Sequence, residues 1–284
     1  MKKDIYHLAD PTWCRGCGIF GLFAALKMAS SSLRLLPEAT VVVTGIGCHG
    51  RLNNYFNSYG FHGLHGRALP IATGVKLSNK DLTVLAVSGD GDAYSIGLSH
   101  FIHTARRNVN LTLIVVNNSV FGLTQGQTSP TSLQGYVSVS TPYGSKEIPL
   151  DGPLLALVSG GTYIARGFSG NPKQLAALLK AAIRHNGFSL LEVLSPCVTH
   201  NKINTKKWFQ DHIYDADTDP GYDPKNKIHA ITMMQNSDRL PVGTIYKEKR
   251  PSFDDLSLPG ATPIVATNLK VEAKRLYKLL EKFE

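Results

Sequence analysis

Two short stretches hold the residues best suited to chemistry. Asp90 stands between Gly89 and Gly91 directly after the apolar run LTVLAVS, and Asn117-Asn118 closes the apolar run LTLIVVN. A carboxylate and an amide oxygen presented from adjacent strand ends are hard oxygen donors. They can hold Mg²⁺ or Ca²⁺ and leave positions open for phosphate oxygens and water. The flanking glycines let backbone N–H groups come close to a diphosphate, and a helix starting near Asp92 aims its positive end at the same place. Gly-Asp-Gly alone is a common turn. The second motif, at the end of the next strand of the same kind, is what makes the pair a candidate site.

The four cysteines form a second constellation: Cys14 and Cys17 as C-x-x-C, then Cys48 and Cys197. In a reducing compartment C-x-x-C points to a metal or a redox pair before a structural disulfide. Four thiolates suit zinc as Cys₄ or a [4Fe–4S] cluster, the spacing does not choose between them, and cysteine is also often plain core. Cys48 lies inside VVVTGIGCHG, where Gly45, Gly47 and Gly50 have the spacing of a dinucleotide-binding turn. That fingerprint needs a helix after the last glycine and an acidic residue about 20 positions on. The sequence continues RLNNYFNSYGFHGLHGR, with no Asp or Glu between Glu38 and Asp81, so a nicotinamide site is not expected. The same acid-free region holds His49, Arg51, His62, His65 and Arg67, a local positive field suited to a diphosphate and an anionic substrate.

Other polar residues read more plainly. His100 and His103 lie one turn apart on a helix and are expected to be structural, while Arg106 and Arg107 sit where a helix dipole favours cations. The segment FGLTQGQTSPTS can close over a substrate, with Thr124, Gln125 and Gln127 in contact with it.

These residues need a framework, and the first three-quarters of the chain supplies one. Helices are predicted over about 18–35, 68–78 and 93–106 and at PKQLAALLKAAIRHNG; strands at VVVTG, LTVLAVS, LTLIVVN, TYIARG and FSLLEVLS. The strands are almost continuously apolar, as strands covered on both faces are. An α/β fold with a parallel sheet follows. Such sheets bind ligands at the carboxyl ends of their strands, and the exits at Gly45 to His49, Gly89 to Asp92, Asn118 to Gln127 and Cys197 all fall on that edge. From about 200 the sequence turns loop-rich, reading as an extension that wraps a surface, before a last helix over about 267–283.

With 284 residues the chain can bury one large core. It shows no signal-like start and no run of about 18 apolar residues, so a soluble cytoplasmic protein is expected. The formal charge is +9, and after residue 200 the lysines fall in mixed-charge pieces such as KINTKKW and YKEKR. This is a solvated face rather than the dense basic, aromatic-interleaved stripe of a nucleic-acid binder.

From Gly89 to Asn118 the sequence GDGDAYSIGLSHFIHTARRNVNLTLIVVNN resembles the motif of thiamine-diphosphate-dependent enzymes, which begins in GDG and ends in NN. The longer stretch SIGLSHFIHTARRNVNLTLIVVNNSVFGLTQGQTSPTS is similar to the β subunits of two-subunit 2-oxoacid:ferredoxin oxidoreductases. So are WCRGCG, TGIGCHGR, HGRALPIATG, SPCVTHN and the tail LPVGTIYKEKRPSF. The resemblance implies a parallel-sheet, diphosphate-type thiamine-diphosphate-binding domain over 1–204 that includes the cluster cysteines. Residues 205–284 would form a loop-rich extension wrapping the surface or the partner.

It also implies site roles. Asp90, the Asn118 side chain and the Val120 carbonyl would ligate Mg²⁺. Ile46, Gly47, Cys48, His49 and His65 would lie along thiamine diphosphate, as would Gly89, Gly91, Asp92, Asn117, Gly122, Leu123 and Thr124. Cys14, Cys17, Cys48 and Cys197 would hold a [4Fe–4S] cluster. Phe121 replaces a tyrosine common in relatives and Gln125 a lysine, which bears on substrate contacts, for which Arg51, Thr124 and Gln125 are the candidates. The activating glutamate has no candidate here and would come from an α subunit in an α₂β₂ heterotetramer. The implied reaction is coenzyme A-dependent oxidative decarboxylation of a 2-oxoacid to an acyl-CoA and CO₂, with electrons passing to ferredoxin, and reductive carboxylation as its reverse. The SPCVTHN context and the tail favour 2-oxoglutarate; pyruvate or a broad range is the alternative, and a zinc Cys₄ scaffold without turnover is the reading of another class.

Overall fold

Period-two alternation along the central strands decides the layering. In the computed structural model, which describes residues 4–257, 262–267, 270 and 272–282, the strands are β1 (Thr40–Thr44), β2 (Tyr59–His62), β3 (Thr83–Gly89), β4 (Thr112–Asn117), β5 (Val120–Phe121), β6 (Gln127–Thr128), β7 (Tyr163–Phe168), β8 (Ser189–Leu194), β9 (Ile213–Asp215) and β10 (Leu240–Lys247). The helices are α1 (Ile19–Leu33), α2 (Ala68–Ser78), α3 (Leu98–Arg107), α4 (Gly152–Val158), α5 (Pro172–Arg184), α6 (Lys206–His212), α7 (Lys227–Asn236), α8 (Phe253–Ser257) and α9 (Ala273–Leu280).

Val42, Leu85, Val87, Ile114, Val116 and Leu191 face the layer formed by α1 and α5, whereas Val41, Val43, Ala86, Leu113, Val115 and Leu190 face α2, α3, α4 and α7. Successive side chains on a strand point to opposite faces, so a strand covered on both sides must be apolar at every position. Every residue of β4 and β8 is buried, and each buried Val, Leu or Ile contributes roughly 1.5–3 kcal/mol.

The main sheet runs β2-β1-β3-β4-β8-β7-β10-β9. The first six strands in that row are parallel, so all their carboxyl ends reach one edge. The tail contributes more order than its composition suggests. It forms α6, α7 and α8, and β10 pairs antiparallel with β7 while β9 runs parallel to β10, which makes the sheet mixed. β9 is only three residues long, and Pro241 and Gly243 interrupt the periodic signal of β10.

Two local differences from the sequence expectation matter near the site. A short 3₁₀ helix, Cys48–Asn54, follows the glycine turn after β1, where no helix was anticipated. The helix expected over 93–106 instead opens with a wide π turn, Asp92–Ile96, closed by Gly97 N–H donating to the Asp92 carbonyl at 3.1 Å; α3 follows and packs Phe101 and Ala105 on the sheet. Such π segments gather at functional sites. The final helix is α9; positions 268, 269, 271 and 283 of the expected 267–283 span lie outside the described residues. Among the described residues no helix is long and apolar enough to cross a membrane.

Candidate active site

A cavity of about 200 Å³ opens at the carboxyl edge of the parallel strands. The exit of β1 gives it Ile46, Gly47, Cys48 and His49, and the exit of β3 gives Gly89 to Asp92. The exit of β4 adds Val116, Asn118 and the run Val120 to Thr124, while His65 and Ile19 complete the wall.

Asp92 is the joint of this wall. Its Oδ1 accepts from Gly66 N–H at 2.6 Å and from Ile46 N–H at 3.3 Å and lies 2.6 Å from His65 Nδ1; its Oδ2 accepts from the Ser88 hydroxyl. The carboxylate therefore ties the β1 turn and the 65–66 segment to the β3 exit. It also explains Gly45, because a Cβ there would overlap the Asp92 carboxylate. Gly47 has φ +153°, and a Cβ on it would lie 2.7 Å from the His49 ring. The G-x-G spacing thus makes room for a carboxylate and an imidazole. His49 is buried, with Nε2 3.8 Å from Asp92 Oδ2 and no hydrogen-bond partner. Burial outweighs the Asp92 charge and pushes its pKa down to about 4, so the ring is neutral at physiological pH.

Asp90 is equally buried but differently bonded. Ser129 and Thr131 both donate to its Oδ2, at 2.6 and 2.7 Å. Burial pushes its pKa up to about 6, with the two hydroxyls and the Asn118 backbone pulling the other way; a divalent cation on the carboxylate would lower it again. The Asn118 side-chain oxygen accepts from Val120 N–H at 3.1 Å, and the Val120 carbonyl accepts from Gly122 N–H at 3.0 Å. Carbonyl oxygens have two lone pairs, so both retain capacity for a cation.

The four thiols are all free and are brought together from three chain segments. Cys17 N–H donates to the Cys14 carbonyl at 2.9 Å, Gly18 N–H to the Pro196 carbonyl at 3.2 Å and Trp13 Nε1–H to the Cys48 carbonyl at 2.8 Å, which docks the C-x-x-C loop on the other two exits. Burial pushes the Cys17 thiol up to about 11, helped by Cys48, Cys197 and Cys14 beside it, and raises Cys48 in the same way. A Cβ on Gly122 would lie 3.7 Å from both the Cys48 and the Cys197 sulfur and 3.5 Å from Asn118 Nδ2. The loop backbone at Gly122 is thus shared by the thiols and the cavity. Among the described residues no three His, Cys, Asp or Glu side chains are grouped to chelate a single ion.

Several anticipated contacts lie elsewhere. Asn117 is outside the wall: its amide donates to Glu192 Oε1 at 3.2 Å and its oxygen accepts from Ser119 N–H at 3.2 Å. Arg51 bonds Thr12 Oγ1 at 3.2 Å, and Gln125 is exposed at φ +81°; neither belongs to the wall. Thr124 does belong to it, with its hydroxyl donating to Gln127 Oε1 at 2.7 Å. His100 and His103 lie on α3, away from it. Ser88, Ser129 and Thr131 had no sequence signal beyond being hydroxyls near motifs. The buried ion pair of Arg166 with Glu192 (2.6 Å) and its part-buried pair with Asp151 (3.1 Å) had none at all.

Residues 45–193 match the family model described as the thiamine pyrophosphate enzyme, C-terminal TPP binding domain, and residues 197–259 match that of the C-terminal region of the pyruvate ferredoxin oxidoreductase beta chain. The chain is 40% identical over 278 residues to 2-oxoacid:ferredoxin oxidoreductase 2, subunit beta, of Aeropyrum pernix, covering 92% of this chain and 90% of that one. The chain belongs to the 2-oxoacid:ferredoxin oxidoreductase β subunits. It is also similar to the 2-oxoglutarate oxidoreductase subunit KorB of Mycobacterium tuberculosis, at 43% identity over 199 residues, 70% of this chain and 53% of that protein. Among solved structures, 2-oxoglutarate:ferredoxin oxidoreductase from Magnetococcus marinus, with 2-oxoglutarate, coenzyme A and succinyl-CoA bound, superposes with TM-score 0.90 at 35% identity, covering 98% of this chain and 96% of that chain. This β subunit is therefore part of an oxidoreductase complex, and its strand-end wall lies within a thiamine-diphosphate-binding domain.

Proposed function

We propose that this β subunit, joined to an α subunit in an α₂β₂ complex, carries out coenzyme A-dependent oxidative decarboxylation of 2-oxoglutarate to the acyl-CoA and CO₂. Cys14, Cys17, Cys48 and Cys197 would hold a [4Fe–4S] cluster, which would supply the electron route to ferredoxin, and abundant reduced ferredoxin would favour the reverse carboxylation. The observation that carries the reading is Gly122, a residue without a side chain set against two cysteine sulfurs and the Asn118 amide. The cytoplasm, where thiols stay reduced, is the compartment that suits such a centre.

The residues fit the groups assigned to them. Asp90, the Asn118 side chain and the Val120 carbonyl supply three hard oxygens on one wall for Mg²⁺. Thiamine diphosphate, when bound, supplies a carbon nucleophile for the 2-oxoacid carbonyl and a sink for the electrons released with CO₂. This chain binds and orients it: Gly89 and Gly91 present backbone to the diphosphate, Asp92 locks the β1 turn, and neutral His49 closes the floor. Among the described residues, the acidic ones lining the cavity are Asp90 and Asp92, both already engaged, and no lysine or arginine lines it. The glutamate that moves a proton at the aminopyrimidine, and the cation that reads a second substrate carboxylate, are therefore assigned to the α subunit.

The test is anaerobic purification of the α–β complex. About four irons and four sulfides per β chain are expected, with ferredoxin reduction faster on 2-oxoglutarate than on pyruvate when coenzyme A is present. One zinc without sulfide would overturn the cluster in favour of a zinc-bound scaffold, and faster turnover of pyruvate would overturn the substrate.

A further inference from the structure

We infer that Ser129 and Thr131 are positioning residues that decide which oxygen of Asp90 takes the divalent cation. The inference rests on the reading of Asp90 as a cation ligand.

Both hydroxyls are buried and both converge on Oδ2, at 2.6 Å from Ser129 and 2.7 Å from Thr131. Thr131 has one proton and two acceptors in reach, Asp90 Oδ2 and Asn117 Oδ1 at 2.9 Å. Asn117 Oδ1 already accepts from Ser119 N–H, so the proton goes to the charged oxygen, where the bond is stronger. Two donors fill the two acceptor directions of Oδ2, and a cation has to approach Oδ1.

The loop that delivers these hydroxyls is itself fastened. Ser132 Oγ–H donates to the Ser119 carbonyl at 2.6 Å, Ser129 N–H donates to Ser132 Oγ at 2.9 Å, and Leu150 N–H donates to the Pro130 carbonyl at 2.9 Å. Asn117 is held from behind, since its amide donates to Glu192, whose other oxygen accepts from Arg166 Nε–H at 2.6 Å. A buried polar cluster therefore backs the Asp90 carboxylate, with the Ser129 and Thr131 hydroxyls in contact with it and Asn117, Glu192 and Arg166 bonded to one another behind them. Its effect is to present one carboxylate oxygen in a fixed direction before the cation arrives. Groups that orient metal ligands in this manner typically change affinity by about 10–100-fold when removed.

The experiment uses the α–β complex stripped of cation by chelation. Mn²⁺ is titrated by electron paramagnetic resonance at a fixed excess of thiamine diphosphate, with thermal denaturation recorded in parallel. Thr131→Val, which keeps the shape and removes the donor, and Ser129→Ala are each expected to weaken Mn²⁺ binding about 10-fold, and Thr131→Ser to restore it. Unchanged affinity in both single variants overturns this inference alone. A purely structural role predicts a lower melting temperature with unchanged Mn²⁺ affinity, and that outcome also overturns it. A wild-type complex that binds no Mn²⁺ overturns the assignment of Asp90 itself, and the inference with it.

Discussion

Asp90 and Asp92 are two residues apart on one turn, both almost fully buried, and they do opposite things. Asp92 commits both oxygens to the protein, accepting from two backbone N–H groups and a hydroxyl with His65 alongside. Asp90 has its two hydroxyl donors stacked on one oxygen. The first arrangement makes a joint and the second suits the cation ligand proposed above. Burial raises the Asp90 pKa to about 6, its desolvation outweighing the Ser129 and Thr131 hydroxyls and the backbone bonds of Asn118 and Asp90. Sequence position does not separate the two roles; the number and direction of donors does.

The sharpest way to break this comparison is to remove each carboxylate in turn. Asp92→Ala strands the N–H groups of Ile46 and Gly66 and the Ser88 hydroxyl in the interior, so it should cost about 3–5 kcal/mol and lower the melting temperature of the α–β complex. Asp90→Ala should abolish Mg²⁺-dependent binding of thiamine diphosphate, measured by calorimetry, with a smaller loss of stability than Asp92→Ala, because the Thr131 hydroxyl it releases can turn to Asn117 Oδ1 and the desolvation cost of the carboxylate goes with it. Equal destabilisation by the two variants would defeat the distinction. Cys197→Ser comes next. It should lose the visible absorption of the proposed cluster while retaining thiamine diphosphate, since Cys197 lies outside the cavity wall; unchanged absorption would remove it from the proposed ligand set.

The parts of this site legible in the sequence are those where chemistry and position coincide. Gly89 to Asp92 and Asn118 follow apolar runs that had to be buried strands, so their place on the carboxyl edge followed from topology. The glycines of the β1 turn were visible but their reason was not: a phosphate-binding turn and a turn that accommodates Asp92 and His49 use the same residue type. Asn117 shows the limit most directly. It adjoins Asn118, but strand alternation sends its side chain to Glu192 on β8. The partners of Asp90 come from residues 129 and 131, far along a loop without periodic pattern, so nothing local could reveal them. The tail strands were missed because β10 is held in place by pairing with β7 rather than by alternation of its own.

The smallest expected effect belongs to Gln125, which touches neither carboxylate and holds φ +81° on an exposed turn. A left-handed backbone costs a non-glycine residue roughly 1–2 kcal/mol, while glycine loses about 0.5–1 kcal/mol of extra chain entropy on folding. Gln125→Gly should therefore raise stability by less than about 1 kcal/mol and leave Mn²⁺ affinity unchanged, because Gly126 N–H still closes the turn on the Phe121 carbonyl at 2.9 Å. A loss of cation affinity in this variant would mean that the loop transmits its geometry to Asp90 along its whole length, and the contrast between a saturated joint and an open ligand would have to include the turn beyond Thr124.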